Sequence, residues 1–369
     1  MIYHLLDWLN KTYSPPGLDM IKFLTFRSGI AAIMALLLVF FAAPKIIEIL
    51  KKKQIGENIK DDGPKSHKKK AGTPTMGGLI ILLCVFIPVL SWGDLTNTYV
   101  LLLLAGTLLL GLVGFYDDYL KVVKKLPKGL IARYKLVGQV TVGLGVGAVL
   151  YFSPEFAAFN SVTTLPFFKD MNFDYSFLYI PAVIFIITAT SNAVNLTDGL
   201  DGLAIGLTII AMMAMALISY LTGNAIYADY LNIIFLPGSG EMTIVAAAII
   251  GAGLGFLWYN FFPAQVFMGD TGSLALGGAL GIMAVMVKKE FLLPLLAGVF
   301  FLETVSVIIQ TTYFKFTKKR DGVGKRVFKM APIHHHFELS GWDEPKIVVR
   351  FYIIGIILAI ISLTSFKVR

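Results

Sequence analysis

Long uncharged apolar runs set the first limit on what this chain can fold into. Residues 79–90, 100–112 and 244–257 carry no Asp, Glu, Lys or Arg, and comparable stretches recur along the sequence. About 17–25 predominantly apolar residues are what an α-helix needs to cross the hydrocarbon of a bilayer. Composition agrees: 56% of the 369 residues are hydrophobic and 15% charged, against about 25% charged in an ordinary soluble domain. A soluble enzyme, a disordered chain and a secreted disulfide scaffold are excluded. The single cysteine, Cys84, sits inside an apolar run. It reads as a small buried hydrophobe and leaves no intramolecular disulfide or cysteine metal site.

Ten apolar segments stand out, at roughly 19–44, 76–92, 99–118, 134–152, 177–192, 200–221, 243–260, 271–287, 291–316 and 347–366. None shows the period-two alternation of a membrane β-strand. The expected fold is an all-α polytopic integral membrane protein of about ten transmembrane helices, with 1–369 as a single membrane-embedded domain. Asp7 and Lys11 interrupt the first twenty residues and no small-residue cleavage site follows. The N-terminal stretch therefore reads as an interfacial helix, with Trp8 and Tyr13 near the headgroups, and not as a signal peptide.

The formal charge of +9 is mostly topology. Of 32 Lys and Arg residues, 24 fall in 45–75, 119–135 and 315–350, in or beside loops that follow odd-numbered segments. The loops after even-numbered segments hold Lys169, Lys288 and Lys289. The positive-inside rule then places the odd loops in the cytoplasm and both termini outside, in a cytoplasmic (inner) membrane. No nucleic-acid footprint is needed to explain the charge.

Charges within or beside spans are costly and point to function. Asp117 and Asp118 close the third segment in Phe115-Tyr116-Asp117-Asp118-Tyr119. Asp198 and Asp201 lie in Asn195-Leu196-Thr197-Asp198-Gly199-Leu200-Asp201-Gly202, and Asp270 lies in Phe267-Met268-Gly269-Asp270-Thr271-Gly272-Ser273. All three clusters fall on the cytoplasmic side of the expected topology. Asp198, Asp201 and Asp270 also suit helix starts, where an acid caps free N–H groups, so capping and function both remain open for each. Asp117 and Asp118 oppose the dipole of a helix C-terminus. They point about 100° apart, so one can face a reaction centre while the other binds a neighbouring Lys or positions it. Hard carboxylates without cysteine partners suit Mg²⁺, and the basic loops suit phosphates. Chemistry on a phosphorylated substrate at the cytoplasmic surface is the expectation.

The last cytoplasmic loop contains Pro332-Ile333-His334-His335-His336-Phe337-Glu338. With no second His or Cys cluster in the sequence, phosphate or carboxylate hydrogen bonding is favoured over zinc. Glu303 lies within the ninth segment, with Gln310 seven residues on and on the same helix face. A carboxylate at that depth requires a polar partner or a cavity, and spacing does not name one. Gly143-Leu144-Gly145-Val146-Gly147 and Gly251-Ala252-Gly253-Leu254-Gly255 sit inside spans and read as packing surfaces, not nucleotide loops.

Taken in order, these motifs, together with Lys70-Ala71-Gly72-Thr73-Pro74-Thr75-Met76-Gly77-Gly78, resemble the phospho-N-acetylmuramoyl-pentapeptide-transferase family of the polyprenyl-phosphate N-acetylhexosamine-1-phosphate transferase superfamily. The Pro-Ile-His-His-His-Phe-Glu run favours that branch over N-acetylglucosamine-1-phosphate transferases. The resemblance implies transfer of phospho-N-acetylmuramoyl-pentapeptide from its UDP conjugate to undecaprenyl phosphate. The products are undecaprenyl-diphospho-muramoyl-pentapeptide (lipid I) and UMP, in peptidoglycan synthesis. It implies Mg²⁺ held by Asp270, Asp117 as the base that activates the lipid phosphate, Asp118 assisting at the metal or positioning substrate, and His334 as an essential histidine. It further implies Lys70, Asn195, Asp198, Asp201, Asn260, Phe267 and Gln310 around the nucleoside and sugar, with Phe267 stacking on uracil, and a homodimer in the bacterial cytoplasmic membrane. Lys70 and Lys121 are candidate supplementary cations. Direct attack is favoured over a covalent aspartyl-phosphate route, which stays open. The competing readings are a sister enzyme using UDP-N-acetylglucosamine and a secondary transporter. A transporter places its acids near the midplane, whereas here they cluster at one surface.

Overall fold

The computed structural model describes residues 1–53, 72–126, 129–168 and 171–367. Its helices are α1 (Ile2–Tyr13), α2 (Leu24–Lys52), α3 (Gly78–Trp92), α4 (Thr98–Val122), α5 (Ala132–Phe152), α6 (Tyr179–Thr197) and α7 (Leu203–Thr222). There follow α8 (Ala225–Tyr230), α9 (Met242–Asn260), α10 (Gly269–Met286), α11 (Leu293–Leu296), α12 (Gly298–Asp321), α13 (Ile333–Glu338) and α14 (Glu344–Thr364). Eight are long and apolar enough to cross a membrane: α2, α4, α5, α6 with its preceding turn, α7, α9, α10 and α14. Of the other two expected spans, α3 is apolar but has 15 residues, and α12 ends on Lys318, Lys319 and Arg320. The chain is a multi-pass membrane protein.

The bundle is built around α10. Every residue from Thr271 to Met286 is buried, and α4, α6, α7 and α3 pack around it. Composition explains this position: Gly272, Ala275, Gly277, Gly278, Ala279, Gly281 and Ala284 leave room for close neighbours on all sides. A second layer forms where α9 packs between α2 and α7. There Gly251 and Gly255 face Ala32 and Val39 of α2, and Gly143 and Gly147 of α5 face Ile184 and Ile180 of α6. Both glycine runs are packing surfaces, as their place inside spans implies. By contrast α12 is largely exposed beyond Thr311.

The helix ends sort into two groups. At one end meet the C-termini of α4, α6 and α9 and the N-termini of α5, α7, α10 and α14. The opposite end gathers the N-termini of α2, α6 and α9 and the C-termini of α3 and α10. Met1 and Lys367 lie there too: the Met1 amine bonds the Leu90 carbonyl and Lys367 Nζ bonds the Tyr230 hydroxyl.

Two features of that opposite end were not legible beforehand. A short antiparallel hairpin, β1 (Val162–Thr164) with β2 (Asn172–Asp174), pairs Thr163 with Phe173. It covers Lys288, Lys289 and Glu290, three charged residues that are nearly wholly buried. Lys288 Nζ lies 2.7 Å from the Tyr179 hydroxyl, Lys289 Nζ lies 2.8 Å from Thr164 Oγ1, and Thr163 Oγ1 donates to the Lys288 carbonyl at 3.0 Å and sits against Glu290 Oε2. Two of the rare lysines expected outside are therefore anchors for the hairpin and not surface charges. The second feature is Arg27 of α2, 2% exposed, whose Nη1 and Nη2 reach Glu241 at 2.9 and 2.5 Å while its guanidinium lies over Tyr3 of α1. This one residue joins α1, α2 and the start of α9.

Two outcomes follow. Arg27→Ala strands the Glu241 carboxylate, and a loss of about 3 kcal/mol is expected, read as a lowered melting temperature in detergent. Burial pushes the Lys288 ammonium down from 10.5 to about 8. Between those values the unfolded chain holds a proton that the folded one has lost, so stability rises with pH. Lys288→Met should flatten that slope in melts recorded from pH 8 to 10.

Candidate active site

Asp117 and Asp118 lie in the last turns of α4, and the structure gives them different tasks. Asp118 Oδ1 accepts from the Asp270 backbone N–H at 3.1 Å, and Oδ2 accepts from the Thr271 N–H at 2.9 Å and its hydroxyl at 2.6 Å. These groups open α10, whose own cap residue, Met268, has no polar side chain. A carboxylate from another helix thus fills the N-cap role and meets the positive end of the α10 dipole. The approach depends on two glycines. A Cβ at Gly114 of α4 would overlap the Asp270 carbonyl, and one at Gly78 of α3 would overlap the Gly272 backbone.

The same region joins two distant motifs. Gly77 N donates to the Phe267 carbonyl, Gly78 N to the Met268 carbonyl and Phe267 N to the Pro74 carbonyl, each at 2.8 Å. Met76, between them, has φ 71°, a left-handed conformation that costs a non-glycine residue about 1 kcal/mol or more and is typical of functional sites.

Asp117 faces the other way. Its Oδ1 accepts from Leu130 N at 2.7 Å, and its Oδ2 lies 3.0 Å from Lys121 Nζ. The same Nζ is 2.8 Å from Asp270 Oδ2, which Lys135 Nζ of α5 also reaches at 3.1 Å. Asn195 completes the cluster: its Nδ2 donates to Asp270 Oδ1 at 2.6 Å and to Ser273 Oγ at 2.8 Å, and its Oδ1 accepts from Lys135 at 3.3 Å. Two carboxylates and two ammonium groups are therefore interleaved. Asp117 is 4% exposed at its side chain, Asp270 14% and Lys121 40%, so the cluster opens to solvent on the Lys121 side.

Asp117 Oδ2 and Asp270 Oδ2 converge on one ammonium, so the space between them accepts a cation. Among the described residues no group of three or more His, Cys, Asp or Glu is arranged to hold a metal. Asp118 is committed to α10. One or two carboxylates beside lysines are a donor set that fits Mg²⁺, which completes its shell with water and substrate oxygens; they do not suit zinc.

The Glycosyl transferase family 4 model matches residues 100–288, the stretch from α4 to the end of α10. A phospho-N-acetylmuramoyl-pentapeptide-transferase signature matches residues 70–82. Proteins named phospho-N-acetylmuramoyl-pentapeptide-transferase from Chloroherpeton thalassium, Pelodictyon phaeoclathratiforme and Chlorobium limicola are 53%, 54% and 51% identical, each over 100% of both chains. The chain belongs to the phospho-N-acetylmuramoyl-pentapeptide-transferase family.

The residues that the family resemblance singles out do not all meet at one point. Asp117, Asp118, Asp270 and Asn195 do, and Asp198, half-buried at the C-cap of α6, follows Asn195 in the same segment. Phe267 is held by backbone bonds beside the start of α3. Asp201 Oδ2 accepts from Ala264 N at 2.9 Å, while Asp201 N donates to Glu344 Oε1 at 2.6 Å. Asn260 accepts from Gly202 N and donates to the Val266 carbonyl, so both its polar ends hold backbone. Gln310 accepts from Val327 N and Phe328 N and donates to the Phe328 carbonyl, which ties the 322–332 loop to α12. His334 is fully buried against Gly199. Lys70 lies outside the described residues. Lys135, by contrast, joins the cluster although its place in the sequence groups it with the loop charges. Its signal was there: a lysine in the first turn of a transmembrane helix opposes the dipole, as Asp117 does at the end of α4.

The division between the paired aspartates has a direct test. Asp118→Ala leaves three donors at α10 unpaired and should cost about 2 kcal/mol or more, with turnover lost alongside the melting temperature. Asp117→Asn should abolish turnover with the melting temperature close to wild type.

Proposed function

We propose that this protein transfers phospho-N-acetylmuramoyl-pentapeptide from its UDP conjugate to undecaprenyl phosphate, giving lipid I and UMP, at the cytoplasmic face of the bacterial inner membrane. The observation that carries the reading is the convergence of Asp117, Asp270, Lys121, Lys135 and Asn195 at one end of the bundle, in a chain matched along its full length by relatives that bear the transferase name. The positive-inside rule makes that end cytoplasmic and leaves both termini outside. The reading keeps ten spans, a single domain and the homodimer that the resemblance implies.

The reaction brings together two anions. An oxygen of the lipid phosphate attacks the phosphorus attached to the sugar, the bond to the bridging oxygen breaks, and UMP leaves with that oxygen. Positioning and charge stabilisation are the main tasks of the protein in such a transfer. Lys121 and Lys135 exchange carboxylate for phosphate oxygens when the diphosphate arrives. Asp117, released from Lys121, orients the lipid phosphate and takes any proton it still carries. That help is modest, since a phosphate monoester is largely ionised near neutral pH. Asp118 is bound to the α10 terminus and has no free oxygen to act as a nucleophile without uncapping the helix, which leaves Asp117 as the residue that a covalent route would use. Asp270, with Asp117 beside it, would hold Mg²⁺; when bound, the ion supplies charge neutralisation at the diphosphate and the leaving UMP. The 195–202 segment and Phe267 supply the wall for nucleoside and sugar, with His334 behind it.

The test is UMP release by purified protein with undecaprenyl phosphate and Mg²⁺. Release is expected with UDP-N-acetylmuramoyl-pentapeptide and not with UDP-N-acetylglucosamine, and EDTA should abolish it. Release with UDP-N-acetylglucosamine alone would move the protein to the sister family. Asp270→Asn should reduce turnover by orders of magnitude. Lys135→Ala should lower kcat/KM for the nucleotide substrate roughly 10- to 100-fold, the worth of one charge-assisted hydrogen bond.

A further inference from the structure

Glu303 lies within α12 at 0% exposure, where a carboxylate needs a polar partner. Its partner is His334 at the start of α13, also 0% exposed. Glu303 Oε2 is 3.1 Å from His334 Nδ1 and accepts from the His334 backbone N–H at 3.4 Å. The opposite edge of the ring meets the 195–202 segment. Among the described residues neither ring nitrogen makes a hydrogen bond: Nδ1 is in close contact with the Glu303 carboxylate, and Nε2 lies where a Cβ at Gly199 would overlap it. The imidazole is thus wedged between a carboxylate and a glycine.

The segment against which it rests is fixed at both ends. Asn195 is bonded to Asp270 and Ser273, while Asp201 N and Gly202 N are bonded to Glu344 and Asn260. Between those anchors, Gly199 lies on the His334 ring. We propose that Glu303 is a positioning residue for the transfer reaction. Its carboxylate accepts from the His334 backbone N–H and lies against the Nδ1 edge of the ring, and the ring sets the 195–202 segment against the phosphate-binding cluster. The proposal rests on the transferase reading for its substrate, and on geometry alone for the pairing.

The partner at one imidazole nitrogen fixes the protonation and direction of the other. A carboxylate on Nδ1 therefore does what a neutral group of the same size does not. Because Asn195 carries the segment directly onto Asp270, a small displacement at Gly199 reaches the reaction centre. Misplacements of about 1 Å are known to cost on the order of 100-fold in rate.

The experiment compares Glu303→Gln, which keeps the shape and removes the charge, with Glu303→Asp, which keeps the charge and shortens the arm. Glu303→Gln should lower kcat/KM for the UDP substrate about 30-fold, and Glu303→Asp about 5-fold or less, at matched melting temperatures. Protein labelled with ring-¹⁵N histidine provides the second readout: Glu303→Gln should move the Nδ1 resonance that His334→Gln deletes, leaving His335 and His336 in place. This arm needs no substrate. An inactive wild type would therefore sink the transferase reading while the resonance still judges the pairing. Wild-type activity in Glu303→Gln, equal losses in both variants that track the melting temperature, or an unmoved resonance would each overturn the proposal. Should Glu303→Gln not fold, Gly199→Ala presses on the same ring from the other side. Its backbone φ lies outside the left-handed range, so the effect is steric. A loss of about tenfold with a shifted His334 resonance is expected, and an unchanged enzyme would overturn the proposal.

Discussion

The structure turns on one interaction, the carboxylate of Asp118 at the N-terminus of α10. It satisfies three donors that α10 cannot satisfy itself. In doing so it sets the distance between the end of α4 and the start of α10, and that distance places Asp117 opposite Asp270. Asp118 and Thr271 are buried, so a backbone N–H left unpaired there has no water to turn to, and the cap is worth more than at an open surface. The cluster of Asp117, Asp270, Lys121 and Lys135 is therefore assembled by the same bonds that close the bundle.

Charge balance is the second organising fact. Asp117 and Asp270 are held close together by Lys121 and Lys135. Each ammonium is paired with both carboxylates, so the cluster is compact as it stands.

Much of this was legible in the sequence, and the rest was hidden for identifiable reasons. Eight of the ten expected spans followed from the apolar runs, and the grouping of helix ends followed from their alternation. The divergence of Asp117 and Asp118 followed from the 100° step of a helix. The sequence does not show that Asp118 serves a helix 150 residues away, because a cap contributed by another element has no local spacing. The partner of Glu303 was hidden for the same reason: His334 is adjacent in space only, across a loop that Gln310 folds back. Three-residue strands carry no usable period, so the sequence does not show the hairpin, and burial leaves no mark in composition, so Lys288 and Lys289 look like loop charges. Asn260 and Gln310 illustrate the converse. Their motifs mark them as important, but their bonds to backbone make them supports for the loops around the site.

The burial of α10 has one more consequence. From Thr271 to Met286 this helix presents no side to lipid, so bilayer thickness acts on it only through its neighbours. When a membrane thickens or thins, the outer helices adjust by tilting, while the element that carries Asp270 keeps its place relative to Asp118. The chemistry is thereby insulated from the mechanical state of the membrane in which its lipid substrate diffuses.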